Sequence, residues 1–408
     1  MRTVIFILLL SSSFPSLKAQ PGCTDPQATN FDPLAVENDG SCSYPATSYN
    51  PVFIAELPAD LSECSGLAWF ADRLWTHQDG GNEDLLYVID TLTGAKLQTV
   101  TLPNTDNIDW EDLAENDEYL FVGDFGNNNG NRTDLRIFRI KKSGLLAGTS
   151  TPEIIAFSYS DQTDFSSAPN ANNYDCEAFF FWNDSLHLFS KNWLNFNTRH
   201  YVLPAEPGNQ IAQLRDSLNV QGLVTGADIT DDGKAVLLGY SFGNTFLWLL
   251  WDFEGGDVFS GNKRRITMGN PLFVSQVEGI VYRNNHYGYI CAERFASQVP
   301  QRLYNFDIEQ WTSGVSAVLE IEKETFIKVF PNPVDRYIEI EFLLNIDLPI
   351  VLKLVDSNGK IVICKQFSHA SKGEIIRIDL EKEYLGPGLF QLVLTTSSGI
   401  VSKKLIKR

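Results

Sequence analysis

Three glutamates stand at matching places in short repeated segments of the chain, at Glu111, Glu177 and Glu278. Asp109 and Asp175 lie two residues before the first two of them. Acids gathered in a narrow, poorly solvated space repel one another unless a cation, an arginine or bound protons compensate their charge. All of these side chains offer oxygen atoms, which Ca²⁺ prefers. The pattern predicts a divalent cation, calcium first, held by Glu111, Glu177 and Glu278 with Asp109 or Asp175.

Three further residues suit a reaction at such a metal. His77, Lys191 and Arg294 follow apolar segments at places that the repeats make equivalent. A bound cation activates water or polarises an ester or lactone, His77 would accept the proton, and Lys191 or Arg294 would hold an anion. The alternative is structural: the carboxylates pair with Lys191 and Arg294, or accept backbone amides, and fasten the fold. The residues leave both interpretations open.

These side chains belong to five segments that share a pattern of apolar residues, a turn and a second apolar strand. The segments begin at Cys64, Trp110, Cys176, Thr225 and Val277. Successive steps are 46, 66, 49 and 52 residues, close to the roughly 40 to 50 residues of a four-stranded propeller blade with insertions. Short strands separated by Gly, Asn and Asp fill the whole middle region. Residues 47–315 are therefore predicted to form an all-β propeller of five blades.

Six blades are the alternative. The longest step contains the polar stretch 161–174, which is either an insertion or the remnant of a sixth blade. Residues Tyr49–Leu57 precede the first repeat and have the length of an outer strand. Such a strand would complete the last blade, join the two ends of the ring and protect its edges.

The chain begins with a pattern typical of a secretory signal peptide. Arg2 precedes the apolar run Val4–Leu10, and the small residue Ala19 ends a stretch that has no acidic residue. Residues 1–19 are therefore predicted to be a signal peptide that is cleaved after Ala19. The apolar run is too short for a membrane-spanning helix, which needs about 20 such residues.

Residues 20–46 are rich in Asp, Asn, Gly and Pro and cannot build a core, so a disulfide between Cys23 and Cys42 is predicted to close them. The segment resembles the short GCTDP and DGSC modules near the ends of secreted bacterial surface proteins. Its acids either hold Ca²⁺ or form a solvated cluster of turns. The acids are Asp25, Asp32 and Asp39. The other four cysteines are expected to be free, buried thiols.

The formal net charge of the chain is −19. A surface this negative repels phosphate backbones and anionic lipid head groups, so no nucleic acid or anionic membrane surface is expected as a partner. The acidity lies in residues 20–326, whereas basic residues slightly outnumber acidic ones in residues 327–408. Residues 316–326 are predicted to link two domains.

The final domain, residues 327–408, alternates apolar and polar residues in short stretches, which predicts a small immunoglobulin-like antiparallel β-sandwich. Four motifs follow one another there: Val329-Phe330-Pro331-Asn332-Pro333-Val334, Leu354-Val355-Asp356-Ser357-Asn358-Gly359-Lys360, Gly388-Leu389-Phe390 and Lys403-Lys404-Leu405-Ile406. They resemble the type A sorting domain of type IX secretion, although the third departs from the commoner Gly-x-Tyr pattern. The resemblance implies the type IX machinery as a partner and export across the outer membrane of a Gram-negative bacterium. It also implies removal of the domain and release or cell-surface attachment of the remainder.

The middle region has a second, distant resemblance. Glu278-Gly279-Ile280 and Glu111-Asp112-Leu113 are similar to strand starts of calcium-dependent phytase-like and lactonase-like propellers. This resemblance implies the propeller fold, and calcium as a cofactor. The function predicted is that of a secreted or cell-surface propeller with a binding or scaffold role toward an unidentified extracellular ligand. The alternative is a calcium-dependent hydrolase, of the esterase, lactonase or phosphatase-like kind, with its site at the acidic mouth of the channel.

Overall fold

A computed structural model describes residues 20–295, 299–312, 327–346, 350–356, 361–380, 385–396 and 399–408. The predicted signal peptide (1–19) and linker (316–326) lie outside the described residues. The chain divides into two compact units between Thr312 and Ser313. Within the described part, no helix is long and apolar enough to cross a membrane.

The first unit is built almost entirely from antiparallel strands. It opens with β1 (Pro21–Gly22), β2 (Glu37–Asn38), β3 (Thr47–Ser48), β4 (Val52–Glu56) and a turn of 3-10 helix at Ala59–Leu61. Repeat 1 contains β5 (Cys64–Phe70), β6 (Arg73–Gln78), β7 (Leu85–Ile89) and β8 (Lys96–Thr101). Repeat 2 contains β9 (Trp110–Glu115), β10 (Tyr119–Asp124), β11 (Arg136–Lys141), helix α1 (Lys142–Ala147) and β12 (Glu153–Tyr159).

Three more repeats follow the same order. Repeat 3 contains β13 (Cys176–Trp182), β14 (Ser185–Ser190), β15 (Thr198–Pro204) and β16 (Gly208–Leu218). Repeat 4 contains β17 (Leu223–Ile229), β18 (Ala235–Ser241), β19 (Asn244–Trp251) and β20 (Asn262–Gly269). Repeat 5 contains α2 (Pro271–Val274), β21 (Gln276–Tyr282), β22 (Tyr287–Glu293), β23 (Arg302–Asp307) and α3 (Glu309–Thr312).

The repeats form a closed ring. Their first strands pack side by side in the order β5, β9, β13, β17, β21 and back to β5. Each neighbouring pair of repeats shares a hydrophobic core, as do repeats 5 and 1. Each of the five cores contains buried residues from both repeats: Trp75 and Trp110, Phe125 and Phe179, Phe189 and Phe246, Leu249 and Ile290, and Leu303 and Leu74. The fold is therefore all-β and propeller-like, as the sequence predicts.

Two outer strands come from the N-terminal segment. β4 pairs antiparallel with β23 and supplies the outer strand of repeat 5, which confirms the prediction made for Tyr49–Leu57. β3 pairs with β20 of repeat 4. The outer strands β12 and β16 pair in parallel and join repeats 2 and 3 into one eight-stranded sheet. Residues 160–175, between β12 and β13, contain no strand.

A carboxylate at the centre of the ring ties three repeats together. Asp112 of β9 is fully buried. One of its oxygens accepts hydrogen bonds from the backbone N–H groups of Phe179 in repeat 3 (3.2 Å) and Ala227 in repeat 4 (3.3 Å). The other accepts from the N–H of Leu113 at 2.9 Å. Asp112 is therefore an acceptor for strands that have no ladder partner on that side.

Two buried histidines lie in the aromatic core of repeats 3 and 4. His187 Nδ1 and His200 Nε2 are 2.8 Å apart, and the ring of Phe259 contacts His200 edge-on. Burial lowers the pKa of His187 to about 4 and, with repulsion from His187, lowers that of His200 to about 3. Unfolding raises both toward the ordinary histidine value near 6.5. The stability that these two neutral histidines contribute is therefore lost as the pH falls from about 6.5 to about 4.

Replacing His200 with glutamine is expected to make this acid sensitivity shallower. Each histidine that protonates only on unfolding contributes about 1.4 kcal/mol per pH unit to the slope, and His200→Gln removes one of them. Urea denaturation between pH 7 and pH 4 measures the slope. Phe259→Leu, a neutral change in the same core, should lower stability equally at every pH. Equal slopes for the wild type and His200→Gln would show that the pair does not govern acid sensitivity.

The second unit is formed by two antiparallel sheets. One contains β24 (Ile327–Phe330), β25 (Tyr337–Phe342) and β28 (Ile375–Asp379). The other contains β26 (Ile350–Asp356), β27 (Ile361–Phe367), β29 (Gly388–Thr396) and β30 (Gly399–Lys407). Both sheets contribute to one core, in which Ile340, Leu352 and Leu392 are fully buried.

Two motifs of the final domain contact each other. The Asn332 side chain donates to the carbonyl of Lys404 at 2.7 Å and accepts from the N–H of Ile406 at 3.0 Å. The N–H of Val334 donates to the carbonyl of Ile406 at 2.7 Å. The Asn-Pro-Val segment therefore runs beside the terminal Lys-Leu-Ile segment, so the two ends of the domain are held together.

Candidate functional site

A β-bulge recurs near the start of the first strand of every repeat. In repeats 2, 3 and 5 the extra residue is Glu111, Glu177 and Glu278, respectively. In repeat 1 Ser65 and Gly66 oppose one residue of β6, and in repeat 4 the extra residue is Thr225. A bulge re-aims its side chain and ends regular pairing. The bulges direct equivalent side chains toward one mouth of the ring, which we call the acidic mouth.

The register of repeat 4 corrects the sequence alignment. The five-segment pattern matched Thr225 to Cys176, whereas the bulges match Thr225 to Glu177. Repeat 4 therefore begins one residue earlier, at Val224. Its Thr225 hydroxyl donates to the carbonyl of Val277 in repeat 5 at 2.8 Å. The position that is acidic in repeats 2, 3 and 5 is used for a contact between strands in repeat 4.

One side of the acidic mouth contains a buried ion pair. Lys191 Nζ lies 2.9 Å from Glu177 Oε1, and both side chains are less than a tenth exposed. Although burial lowers the pKa of Lys191, the carboxylate of Glu177 raises it well above its usual range. The ammonium group also lies over the rings of Trp193 and Tyr240, at 5.1 and 5.6 Å. Glu177, predicted as a metal ligand, is therefore neutralised by Lys191, which was predicted to hold an anion.

The amide of Gln276 joins two further acids of the mouth. Its Nε2 donates to Glu278 Oε1 at 2.6 Å and to Glu293 Oε1 at 2.5 Å. Burial, with Lys191 opposing it, raises the pKa of Glu278 to about 7. Burial and repulsion from Glu278 raise the pKa of Glu293 to about 9. This pair shares one amide donor and accommodates a proton near neutral pH.

The opposite side of the mouth gathers three carboxylates, Asp79, Asp109 and Glu111. One oxygen from each lies within 4.8 Å of the others. Burial raises the pKa of Asp79 to about 6, although the N–H of Gly80 and the charge of Lys191 oppose it. Burial, with repulsion from Asp79 and Asp175, raises the pKa of Asp109 to about 7. The same causes raise the pKa of Glu111 well above its ordinary value. Among the described residues none of the three forms an ion pair. We call these residues the carboxylate triad.

Glycines make room for the carboxylate triad. A Cβ on Gly126 would lie 2.0 Å from Glu111 Oε1 and 2.5 Å from Asp109 Oδ2. A Cβ on Gly80 would lie 2.1 Å from Asp109 Oδ1. Any side chain at either position would therefore displace a carboxylate. The glycines after the second strands of repeats 1 and 2 allow the oxygens to converge.

Backbone hydrogen bonds fix the loops that carry the triad. The N–H groups of Phe125 and Gly126 donate to the carbonyl of Asp109 at 3.1 Å, and the N–H of Asp109 donates to Asp124 Oδ1 at 3.0 Å. Asp124 is fully buried and pairs with two nearby arginines. These are Arg132, at 3.1 Å, and Arg136, at 2.7 Å. The arginines thus form their ion pairs with Asp124, and the charge of Arg132 also opposes the rise in the pKa of Asp109.

Other residues predicted for the site have different environments. Both oxygens of Asp175 are hydrogen-bonded, to the N–H of Asn127 at 2.6 Å and to the indole N–H of Trp193 at 2.8 Å. His77 is fully buried; its ring contacts Trp110, and its Nδ1 lies 2.8 Å from the carbonyl of Gln78. Burial lowers the pKa of His77 to about 4. Arg294 is exposed. The cluster of three carboxylates includes neither Asp175 nor His77, although Asp175 lies near enough to raise the pKa of all three triad acids by repulsion.

The N-terminal segment contains the predicted disulfide, between Cys23 and Cys42. Its three candidate calcium ligands serve separate turns. Asp25 accepts from the N–H of Gln27 and the hydroxyl of Tyr44, Asp32 from the N–H of Leu34, and Asp39 from the N–H of Ser41. The acid clusters found among the described residues do not include them.

Sequence reasoning did not select Asp79 as a ligand. The residue follows β6 directly, and the ends of the second strands lie at the same mouth as the starts of the first strands. Its place at the end of a second strand is the feature of the sequence that could have identified Asp79. The three glutamates at matching positions do not by themselves reveal which acids converge. Lys191 pairs with Glu177 and Gln276 bonds Glu278, so only Glu111 joins the triad.

Residues 328–408 match the family described as secretion system C-terminal sorting domain. The match confirms the resemblance to the sorting domains of type IX secretion. The tail therefore implies interaction with that secretion machinery. It indicates that the protein is secreted or attached to the cell surface.

Comparisons of the whole chain give weaker similarities. No curated protein matches the sequence. Regucalcin of Agrobacterium tumefaciens, a calcium-binding protein, is 11% identical, with a TM-score of 0.36 over 65% of this chain and 96% of that chain. A gluconolactonase of Xanthomonas campestris is 12% identical, with a TM-score of 0.32 over 60% and 73%. A β-xylosidase/α-arabinofuranosidase from a compost microbial metagenome is 10% identical, with a TM-score of 0.39 over 65% and 96%. Similarity at this level carries no information on activity.

Proposed function

We propose that the protein is an extracellular binding protein, a five-bladed propeller that recognises its ligand through a divalent cation at the carboxylate triad. The observation that carries the proposal is the convergence of Asp79, Asp109 and Glu111, none of which forms an ion pair in the part of the chain that the structure describes. Two or three negative charges at this spacing in a buried site are unfavourable by several kcal/mol. A bound cation relieves that repulsion, whereas the Glu177 side of the mouth already has Lys191.

Calcium fits this site best by its chemistry. The three side chains supply only carboxylate oxygens, the donors that Ca²⁺ prefers, and Ca²⁺ takes six to eight oxygen ligands. The triad cannot supply that number alone. Coordination positions are left for water and for oxygens of a ligand that enters the mouth. A ligand rich in carboxylate, phosphate or hydroxyl oxygens is therefore expected.

A calcium-dependent hydrolase is the second candidate. Open coordination positions would let the cation polarise an ester, lactone or phosphate. His77 does not suit the role of proton acceptor, because it is buried against Trp110. A carboxylate of the mouth would have to act instead. Hydrolysis of such substrates that requires calcium and stops with chelator would favour this candidate over binding alone.

The sorting domain indicates where in or outside the cell this site would act. We infer that residues 1–19 are a cleaved signal peptide and that residues 327–408, an immunoglobulin-like sandwich, are read by the type IX machinery. The remainder is then released or held at the cell surface beyond the outer membrane. Calcium is commonly available in such surroundings at concentrations that suit weak extracellular sites, with dissociation constants of about 10⁻⁴–10⁻³ M.

Calorimetric titration of the exported protein with calcium chloride tests the proposal. The expected result is one bound ion per chain and a higher thermal midpoint in calcium than in chelator. Magnesium should bind more weakly, because it demands a regular octahedral site. Absence of calcium binding, with the chain folded, would contradict the proposal and favour a scaffold in which the acids only fasten the ring.

A further inference from the structure

Two buried thiols meet where the ring closes. Cys64 begins β5 in repeat 1 and Cys291 lies in β22 of repeat 5, and both are at most 1% exposed. Cys291 Sγ lies 2.9 Å from the carbonyl oxygen of Ser65, and Cys64 Sγ lies 3.9 Å from the same oxygen. The sulfurs therefore cannot be farther apart than the sum of these two distances.

The backbone places the two cysteines side by side. The N–H of Arg294 donates to the carbonyl of Ser62 at 2.8 Å, and Cys291 Sγ contacts the carbonyls of Cys64 (3.7 Å) and Ser65. Residues 291–294 thus run antiparallel to residues 62–65. A Cβ on Gly279 would lie 2.8 Å from Cys291 Sγ, so the thiol fills the space that this glycine leaves. Burial, with the neighbouring thiol of Cys64, raises the pKa of Cys291 well above its usual range.

We infer that Cys64 and Cys291 form a disulfide in the exported protein, which joins the first repeat covalently to the last. Disulfides form in the periplasm during export, and both Sγ atoms lie within 3.9 Å of one carbonyl oxygen, that of Ser65. Each thiol loses its proton, and two electrons pass to a protein disulfide oxidant, whose own disulfide becomes a dithiol. The bond would close a loop of more than half the chain.

The other two free cysteines have different surroundings. Cys176 is buried, and its Sγ contacts the carbonyls of Ala178 and Phe189. Cys364 belongs to the second unit and is exposed, which corrects the expectation of a buried thiol. Cys64 and Cys291 are free and buried in the structure, as expected, and the inference concerns their oxidation during export. The disulfide would act with β4, which closes the same repeat by hydrogen bonds.

Peptide mapping of the exported protein tests the inference. The protein is trapped with iodoacetamide in denaturant without reductant and cleaved by proteases specific for Lys and Arg and for Glu and Asp. The second specificity is required, because no Lys or Arg lies between Lys18 and Arg73 and Cys64 would otherwise share a peptide with Cys23 and Cys42. The expected result is an alkylated Cys176 and a peptide pair linked through Cys64 and Cys291; Cys364 lies in the sorting domain, which the proposed export removes.

Alkylation of Cys64, Cys176 and Cys291 together, or a linkage through Cys176, would overturn the inference. A second measurement uses the variant Cys23→Ser/Cys42→Ser, which leaves only the proposed bond sensitive to reductant. Its thermal midpoint is expected to fall by about 5 °C or more on reduction. Adding Cys291→Ala should abolish that response, and adding Cys176→Ala should leave it unchanged. A response that survives Cys291→Ala would contradict the assignment.

Discussion

Replacing Asp112 with alanine is expected to lower the free energy of unfolding by about 3–5 kcal/mol. The substitution leaves the buried N–H groups of Phe179, Ala227 and Leu113 without their acceptor, and each such loss costs about 1–3 kcal/mol. Two of these bonds join different repeats, so the cooperativity of unfolding should fall as well. Urea denaturation followed by tryptophan fluorescence measures both effects.

Asp112→Asn is the matched control. Asparagine keeps one carbonyl oxygen of the same shape, which can serve Phe179 and Ala227, and loses only the local bond to Leu113. It is expected to cost about 1 kcal/mol. Equal losses for the two variants would show that packing at the centre of the ring, rather than the acceptor oxygen, stabilises the fold.

Replacing Glu111 with glutamine is expected to weaken calcium binding about 100-fold or more. A unit charge about 4 Å from another contributes up to about 4 kcal/mol at the effective dielectric constant of such a site, and 2.7 kcal/mol corresponds to two orders of magnitude. Glutamine keeps the shape of the side chain and removes only the charge. Calorimetry measures the affinity, and circular dichroism verifies that the variant is folded.

Glu309→Gln is the control for position. Glu309 belongs to a second acid cluster, with His286 and Asp307, on the same unit, and its substitution should leave the calcium affinity unchanged. Gly126→Ala should weaken binding without any change of charge, because its Cβ displaces Glu111 and Asp109. If Glu309→Gln lowered the calcium affinity more than Glu111→Gln, the cation would bind at the second cluster rather than at the acidic mouth.

The sequence predicts the ring better than the site. Turn residues and the repeated strand starts indicate an all-β, propeller-like fold, and the outer strand β4 is visible as an apolar stretch before the first repeat. The Cys23–Cys42 bond follows from a segment too polar to fold alone. The one-residue error at Val224 arises because a bulge is a local departure from alternation that composition does not reveal.

Which acids converge depends on contacts between distant strands. Glu177 and Glu278 are alike in sequence to Glu111, but Lys191 pairs with the first and Gln276 bonds the second. His77 stands at a strand end that suggests exposure, yet its side chain alternates inward onto Trp110. Neither outcome follows from residue type: Lys191 and Gln276 bind glutamates of their own repeats, whereas the contact of His77 with Trp110 joins repeats 1 and 2.

Anomalous diffraction from crystals of the protein grown with calcium tests the central claim most directly. The account predicts a peak at the acidic mouth within about 2.3–2.6 Å of oxygens from Asp79, Asp109 and Glu111, with Lys191 still paired to Glu177. A structure in which a basic side chain fills the triad, or in which the peak lies elsewhere, would contradict it.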